Sequence, residues 1–383
     1  MMDRVLKRNR EICQSSIRAI TRRIEANGGI NLGQGTCELP PSPELLEAAR
    51  QAILDGHNSY TLFDGVPELK QALVRKYTRH NQMAISTENV LVTCGATGAL
   101  ECVCRCFLEP GDEVVQFAPI YQYHVSLVRE RGATIRFVDL KPPDWSFSIE
   151  ELKRAITPAT KLLVFANPNN PTGKVFSRGE LEQIGQVCRE RGVVAVVDEV
   201  YEYMVYDGLR HISLASLPGM FEHTITLSSA GKSFFVTGWR VGWAIGPADV
   251  MRPMGVKSDE TYVCAPAPLQ YAVAHGLGFP DSFFASIGTN FRGRRQRLVD
   301  ALSAAGLDPH VPSGAYYILA EYKRLGVDSD MAAVDYLADR RGVGSVPGSS
   351  FFSSKNGSSG MVRLCFAVDD TKLNEACDRL TQG

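Results

Sequence analysis

The sequence has almost no net charge and no long apolar run behind its opening residues. Its 41 lysine and arginine residues are matched by 42 aspartate and glutamate residues, for a formal charge of -1 over 383 residues. A protein that binds nucleic acid or an anionic membrane through its overall field needs a basic excess, so neither partner is indicated. The charged opening, MMDRVLKRNREICQSS, predicts neither a signal peptide nor a membrane span.

The ten cysteines also lack the regular spacing of a disulfide framework, which favours a reduced, cytoplasmic protein. The densest group, Cys102, Cys104 and Cys106, lies at positions i, i+2 and i+4 of a helix-like stretch. On a helix Cys104 would point away from the other two, which makes a poor tetrahedral site. We therefore predict that these cysteines pack in the core and that the protein holds no metal.

Apolar strand-like runs without polar alternation alternate with helix-like stretches along most of the chain. Runs such as TKLLVFA and VVAVVD are typical of strands buried on both faces. The pattern predicts an α/β fold with a mostly parallel sheet between helices, and ligands at the carboxyl ends of the strands. A smaller α+β domain should follow. The predicted limits are 1–44 for an N-terminal arm that joins the smaller domain, 45–285 for the large domain and 286–383 for the smaller domain.

Two stretches place polar groups directly after predicted strands. In TCGATGAL, a strand leads into Ala96, Thr97 and a helix, whose free N–H groups would attract an anion such as phosphate; a plain strand–helix turn fits equally well. In VVDEVY, Asp198 ends an apolar strand, where a buried carboxylate needs a cation or a hydrogen-bond donor. A helix N-cap is the alternative for Asp198. Tyr201 follows close to the same point.

Two further stretches offer an amide and an amine. ANPNNPTG combines two Asn-Pro steps into a rigid turn with side-chain donors, although it fits a simple loop as well. In SSAGKSFFVTGWR, Lys232 lies among small and apolar residues, close to Ser229 and Arg240. An apolar setting and a nearby cation both favour the neutral amine, which is the form that attacks a carbonyl carbon.

Pyridoxal 5'-phosphate requires all of these groups: a lysine, a carboxylate for its ring nitrogen, donors for its phenolic oxygen and an anion site for its phosphate. The sequence resembles the fold-type I class I/II aminotransferases, and is most similar to their kynurenine, glutamine and methionine aminotransferase branch. The motifs that carry the resemblance cover nearly the whole chain in family order. They include INLGQG, NSYTLFDGVPELKQAL, VTCGATGAL, NPNNPTG, VVDEVYEYMVYDG, SSAGKSFFVTGWRVGW and MVRLCFAVDD.

The resemblance implies a role for each matching residue. Lys232 would form the Schiff base with the cofactor and move the proton at the substrate Cα, Asp198 would pair with the ring nitrogen, and Tyr201 would hydrogen-bond the phenolic oxygen. The other residues implied in cofactor binding are Tyr60, Ala96, Thr97, Tyr121, Asn170, Ser229 and Arg240. Tyr60 would reach the phosphate of a partner subunit, which implies a homodimer with shared active sites. The residues implied in substrate binding are Gly35, Asn170 and Arg363, with Arg363 clamping the α-carboxylate.

The implied activity is transfer of the amino group of an L-α-amino acid to an α-keto acid. The segments that would shape the side-chain pocket offer no second arginine for a dicarboxylate, so we expect aromatic or neutral medium-length substrates such as phenylalanine, methionine or glutamine. If the acids Glu38, Asp259 and Glu260 face the pocket, an arginine-like substrate is the alternative. A pyridoxal-phosphate-dependent lyase or cyclase on the same scaffold also stays open.

Overall fold

The computed structural model describes Ile24, residues 28–352 and residues 359–382. These residues form two compact units. The larger unit comprises residues 37–293 and 312–316, and the smaller comprises the described parts of 1–36, 294–311 and 317–383. The domain limits of 1–44, 45–285 and 286–383 stay a prediction.

Strands and helices alternate along most of the described chain. The strands are β1 (Ile30–Asn31), β2 (Val90–Thr93), β3 (Glu113–Ala118), β4 (Thr134–Asp139), β5 (Thr160–Ala166), β6 (Val194–Asp198), β7 (Thr224–Ser229), β8 (Gly242–Ile245), β9 (Asp308–His310), β10 (Tyr317–Glu321), β11 (Val343–Gly344), β12 (Val346–Pro347) and β13 (Met361–Cys365). The α-helices are α1 (Pro43–Leu54), α2 (Pro67–His80), α3 (Gly95–Phe107), α4 (Gln122–Glu130), α5 (Ile149–Ala155), α6 (Arg178–Arg191), α7 (Ala230–Ser233), α8 (Ala248–Tyr262), α9 (Ala267–Gly276), α10 (Asp281–Ala304), α11 (Asp330–Arg341) and α12 (Asp370–Thr381).

The larger unit is built around a seven-stranded sheet in the order β2-β8-β7-β6-β5-β3-β4, as far as the described residues show. Strands β3 to β7 pair in parallel, whereas β8 runs antiparallel to both β2 and β7. The apolar residues of β5 and β6 are buried because helices cover the sheet, and Leu100 and Val103 of α3 pack with Leu162 and Val196 in its core. The predicted α/β class with a mostly parallel sheet is therefore confirmed.

Local sequence signals set where several helices begin and end. Helix α6 begins with a capping box, in which Ser177 accepts a hydrogen bond from Glu180 N–H and the Glu180 side chain accepts one from Ser177 N–H. It ends at Gly192, whose φ of 65° lies in the left-handed region that glycine adopts without steric cost. Helix α11 also begins at a serine N-cap, with Ser329 accepting a hydrogen bond from Ala332 N–H, and ends at Gly342 in the left-handed region.

Helix α3 buries the cysteines Cys102 and Cys104 in the core of the larger unit. Burial raises the pKa of both thiols to about 12, as expected for packing residues rather than reactive thiolates. Within residues 28–352 and 359–382, the histidine, cysteine and acidic side chains form no group of three or more that could hold a metal ion. None of the helices in those ranges is long and apolar enough to cross a membrane. The cytoplasmic location stays a prediction.

The smaller unit has an antiparallel sheet in the order β12-β13-β10-β9, with α11 packed against β12 and β13. Beside it, β1 and β11 pair in parallel through Ile30 and Val343. A strand near the end of the chain, β11, therefore pairs with a strand near its start, β1. These elements are the predicted α+β unit.

Candidate functional site

The carboxyl ends of the parallel strands in the larger unit meet at one edge of its sheet. Asp198, the last residue of β6, lies in register with Ala166 of β5 on one side and Leu227 of β7 on the other. Because parallel strands end at the same edge, the residues that follow them form a common site. The stretches singled out in the sequence analysis follow β2, β5, β6 and β7 at this edge.

Asp198 is paired with a histidine that the sequence analysis did not identify. His124 Nε2, in the first turn of α4, lies 3.1 Å from Asp198 Oδ2. A carboxylate only accepts hydrogen bonds, so Nε2 is the nitrogen that donates. The backbone of His124 is held by Gln116, whose Nε2 donates to the His124 carbonyl at 2.8 Å. The predicted stacking residue Tyr121 lies just before α4, with its ring centroid 5.8 Å from that of His124.

Lys232 lies in the short helix α7, directly after β7. Its Nζ donates a hydrogen bond to the Tyr316 hydroxyl and lies 5.7 Å from the centroid of the Tyr201 ring. The Tyr201 and Tyr316 rings meet edge to face with centroids 5.1 Å apart, so together they form an aromatic wall beside the amine. Tyr201 was predicted here. Tyr316 was not, because it comes from residues 312–316, far along the chain.

The guanidinium of Arg240 lies beside the N-terminus of α3, where the sequence predicted an anion site. Ala96 and Thr97 lie in the first turn of α3, where backbone N–H groups have no partner within the helix. Arg240 Nη2 lies 3.4 Å from the Cys94 carbonyl oxygen, just before that helix. A Cβ placed on Gly95 would lie 2.5 Å from Arg240 Nη2, and Gly95 has a φ of +74°. Only glycine gives Arg240 this close approach.

A cavity of about 870 Å³ opens beside this anion site. Its lining includes Tyr60, Thr97, Arg240 and Tyr262, and Arg240 is the charged side chain among the described residues that line it. The Tyr60 side chain is 82% exposed in the single chain. The structure therefore brings together Thr97 and Arg240, which were predicted to contact one phosphate, and Tyr60, which was predicted to reach the phosphate of a partner subunit, lines the same cavity of the single chain.

The remaining two predicted cofactor ligands in this unit also lie at the ends of strands. Asn170 is buried in the turn after β5, and that turn is held by Asn169, whose Oδ1 accepts hydrogen bonds from Thr172 N at 3.1 Å and Thr172 Oγ at 2.7 Å. Ser229 is the last residue of β7, in register with Gly242 of β8. The order of the strands thus explains why residues distant in sequence share one edge.

Gly35 and Arg363 lie in the smaller unit, and both contact Tyr317. The Arg363 guanidinium is buried between two aromatic rings, 4.2 Å from the Tyr317 centroid and 4.4 Å from the Phe351 centroid. Its Nη2 donates to the Gly33 carbonyl at 2.9 Å. A Cβ on Gly35 would lie 2.0 Å from the Tyr317 hydroxyl oxygen, so this position needs glycine. The joint role of Gly35, Arg363 and Asn170 in substrate binding stays a prediction.

A buried ionisable cluster lies beside the segment that follows β6. Lys76 of α2 donates to both carboxylate oxygens of Glu202, at 2.6 and 2.7 Å. Glu199 and His211 lie nearby, with His211 Nε2 3.7 Å from Glu199 Oε2. Burial, and then the negative charge of Glu202, raise the pKa of Glu199, while burial lowers the pKa of His211 to about 4. Burial therefore favours the neutral forms of Glu199 and His211, whereas Lys76 and Glu202 form an ion pair.

Comparison with known proteins agrees with this arrangement of residues. A family model described as "Aminotransferase class I and II" matches residues 27–380. Kynurenine–oxoglutarate transaminase 3 of Mus musculus is 37% identical over 378 residues, covering 91% of this chain and 83% of the relative.

Two solved structures show the same fold over nearly the whole chain. N-succinyldiaminopimelate aminotransferase from Mycobacterium tuberculosis has a TM-score of 0.94 and 35% identity, covering 98% of this chain and 99% of that one. An Escherichia coli protein reported to have a methionine aminotransferase function has a TM-score of 0.93 and 25% identity, covering 97% and 98%. The chain therefore belongs to the class I and II aminotransferases, a family whose cofactor is pyridoxal 5'-phosphate.

Proposed function

We propose that this aminotransferase acts on L-α-amino acids with aromatic or neutral medium-length side chains, and that Lys232 and Asp198 are its central catalytic groups. The observation that supports the proposal is the donor set at one sheet edge: an amine, a histidine-backed carboxylate, and a helix N-terminus with Arg240. Its chemistry fits the cofactor, because the amine, carboxylate and anion site match the aldehyde, ring nitrogen and phosphate. Gly95 has no side chain, and this leaves room for the Arg240 guanidinium beside the proposed anion site.

Each group of the larger unit then has one task. Bound pyridoxal phosphate supplies an electron sink that lets the Cα–H bond of an amino acid break. Lys232 would attach the cofactor and move the proton at the substrate Cα. Asp198, hydrogen-bonded by His124, would pair with the ring nitrogen. The residues that would bind the rest of the cofactor are Tyr60, Ala96, Thr97, Tyr121, Asn170, Tyr201, Ser229 and Arg240.

Substrate recognition would involve Gly35, Asn170 and Arg363. Two aromatic rings within 4.4 Å restrict the Arg363 guanidinium, and a guanidinium can bind a carboxylate with two parallel hydrogen bonds, which suits Arg363 to the α-carboxylate. Of the three acids behind the arginine-like alternative, Glu260 is already engaged by Lys257 at 3.0 Å and by Arg105 at 3.4 Å. Tyr60 and Tyr262 instead give the cavity aromatic walls.

A screen of amino donors at a fixed keto acid tests the proposed substrate class. We expect phenylalanine, methionine or glutamine to give the highest kcat/KM, because the one cation among the described residues that line the cavity, Arg240, is proposed to bind the cofactor phosphate and so leaves no second cation there for a side-chain carboxylate. Aspartate serves as the comparison, since its side chain carries the second carboxylate. If aspartate ranks first by tenfold, an advantage of about 1.4 kcal/mol, the assignment is wrong.

A homodimer with shared active sites is the second part of the proposal. Tyr60 is highly exposed, and four further large side chains near it in the sequence or the fold are between about a third and two thirds exposed: Leu62, Val256, Tyr262 and Val263. Burial of such apolar surface is favourable, so their exposure indicates an interaction surface. Phe63 connects the two segments, since a Cβ on Gly255 would lie 2.6 Å from its ring. A second copy of the chain would cover these residues and bring Tyr60 to the neighbouring phosphate.

Mixing two impaired variants tests whether Tyr60 serves the partner. Lys232→Ala and Tyr60→Ala chains should form heterodimers with one intact site, because one chain supplies Lys232 and the other supplies Tyr60. The mixture should therefore exceed the activity of its Tyr60→Ala component alone. Lys232→Ala mixed with Arg240→Ala is the control and should show no gain, since both residues belong to one chain's site. If light scattering shows that the protein is a monomer and the monomer is fully active, the shared site is refuted.

A further inference from the structure

Asp330, at the start of α11 in the smaller unit, accepts an unusual number of hydrogen bonds. Its carboxylate is fully buried and accepts from Ser349 N at 2.7 Å, Ser359 N at 3.0 Å, Ser359 Oγ at 2.8 Å and Gly360 N at 3.1 Å. It also accepts from the Tyr322 hydroxyl at 2.8 Å. No predicted role in the reaction involves this residue, although a buried carboxylate is costly unless such donors surround it.

These donors belong to the two segments that position Arg363. Ser349 lies in the turn Gly348–Ser350, which leads directly to Phe351, the ring that covers one face of the Arg363 guanidinium. Ser359 and Gly360 lead directly into β13, the strand that contains Arg363. One carboxylate therefore ties together the turn that supplies the ring and the strand that supplies the cation.

The two segments also pack tightly against each other. A Cβ on Gly348 would lie 2.2 Å from Ser359 Oγ and 2.7 Å from the Met361 carbonyl oxygen. Phe351 N donates to the Gly348 carbonyl at 2.8 Å, which fixes the end of the turn. In the same region β12 pairs with β13 so that Val346 lies opposite Arg363. A substitution at Asp330 would thus shift both the Phe351 ring and the start of β13.

We propose that Asp330 is a positioning residue for substrate binding, which holds Phe351 and β13 so that the Arg363 guanidinium is fixed for the substrate carboxylate. The inference rests on the proposed role of Arg363. Burial on its own would raise the pKa of Asp330, but the hydrogen bonds from Ser359, Tyr322 and Ser349 outweigh it and lower that pKa. The carboxylate is therefore charged at neutral pH and attracts all of its donors at once.

The test is binding of 3-phenylpropionate, a monocarboxylate without an amino group, to the holoenzyme, followed by cofactor absorbance. Asp330→Asn should raise its Kd about tenfold and the KM of the amino donor similarly, because an amide accepts fewer hydrogen bonds and places a donor against donors. The kcat and the absorbance spectrum of the ligand-free holoenzyme should change little, since no cofactor contact is altered.

Two milder variants and one matched control separate positioning from general stability. Tyr322→Phe and Ser359→Ala each remove one hydroxyl donor and should raise the same Kd by a smaller factor, which keeps the test open if Asp330→Asn does not fold. Asp369→Asn is the control: Asp369 caps α12 in the same unit by accepting from Lys372 N at 2.9 Å. It should leave the Kd unchanged.

The outcomes distinguish this inference from the assignment on which it rests. If Arg363→Lys raises the Kd and the variants at Asp330, Tyr322 and Ser359 do not, the positioning role is wrong and the Arg363 role stands. If Arg363→Lys binds 3-phenylpropionate as well as the wild type, the assignment of Arg363 is wrong and this inference falls with it. An equal loss in Asp369→Asn and Asp330→Asn would also refute it, because the effect would then be general.

Discussion

A Lys232→Ala variant is expected to lose both the borohydride-trapped cofactor adduct and roughly ten-thousandfold or more in kcat, because one amine would attach the cofactor and move the substrate proton. The surroundings support this: Lys232 Nζ is held by the Tyr316 hydroxyl beside the Tyr201 ring. The measurement is mass spectrometry of peptides after borohydride reduction of the holoenzyme, together with single-turnover kinetics.

A second lysine provides the control for that experiment. Lys257 pairs with Glu260 on the surface, at 3.0 Å, and lies outside the sheet edge that bears the predicted site. Lys257→Ala should retain the adduct and the wild-type rate. An adduct that maps to any lysine other than Lys232 would show that the catalytic amine has been misassigned.

A Glu202→Gln variant is expected to lower the free energy of unfolding by about 3–5 kcal/mol, because it leaves the buried Lys76 ammonium without its counter-charge. The two side chains are only 2% and 4% exposed, so water cannot take the place of the carboxylate. The contacts that remain for Lys76 are the Asn81 Oδ1 atom at 2.9 Å and the Tyr77 ring at 3.9 Å. The free energy of unfolding by urea, at pH 7 and fixed cofactor concentration, measures the effect.

Glu199→Gln is the matched control in the same buried cluster, with an opposite expectation. Burial and the negative charge of Glu202 raise the pKa of Glu199 and so favour its protonated form, and glutamine nearly reproduces the charge and shape of that form. A carboxyl with a raised folded-state pKa takes up a proton on folding, so its presence lowers stability as pH rises from its unfolded to its folded pKa. Glu199→Gln should therefore remove that decline and leave the protein at least as stable as the wild type at pH 7. Equal losses in Glu199→Gln and Glu202→Gln would contradict the assigned charges.

Features that depend on local pattern could be predicted from the sequence. The apolar runs around Val164 and Val196 predicted strands buried on both faces, and the α/β class followed from their alternation with helices. Lys232 and Asp198 could be singled out because each directly follows such a run, where a charged side chain needs a reason. Placing them at one edge required only the assumption that the strands are parallel.

Features that depend on the order and direction of strands could not be predicted. His124 reaches Asp198 because β3 and β6 lie on either side of β5, a neighbour relation that periodicity does not encode. Strand β8 looks like the other strands in sequence, yet it runs antiparallel to both neighbours. Tyr316 and Asp330 escaped notice for a related reason: their partners are distant along the chain, and neither lies in a local pattern that marks a ligand.

The pairing of β1 with β11 determines when the smaller unit can fold as the ribosome synthesises the chain. Ile30 emerges early, but its partner Val343 is synthesised only after the whole seven-stranded sheet has left the exit tunnel. The larger unit can thus start to fold during translation, while the smaller unit must wait for nearly the complete polypeptide. During that interval the backbone N–H and C=O groups of β1 have no sheet partner, so a nascent chain stalled before residue 343 presents this segment to chaperones.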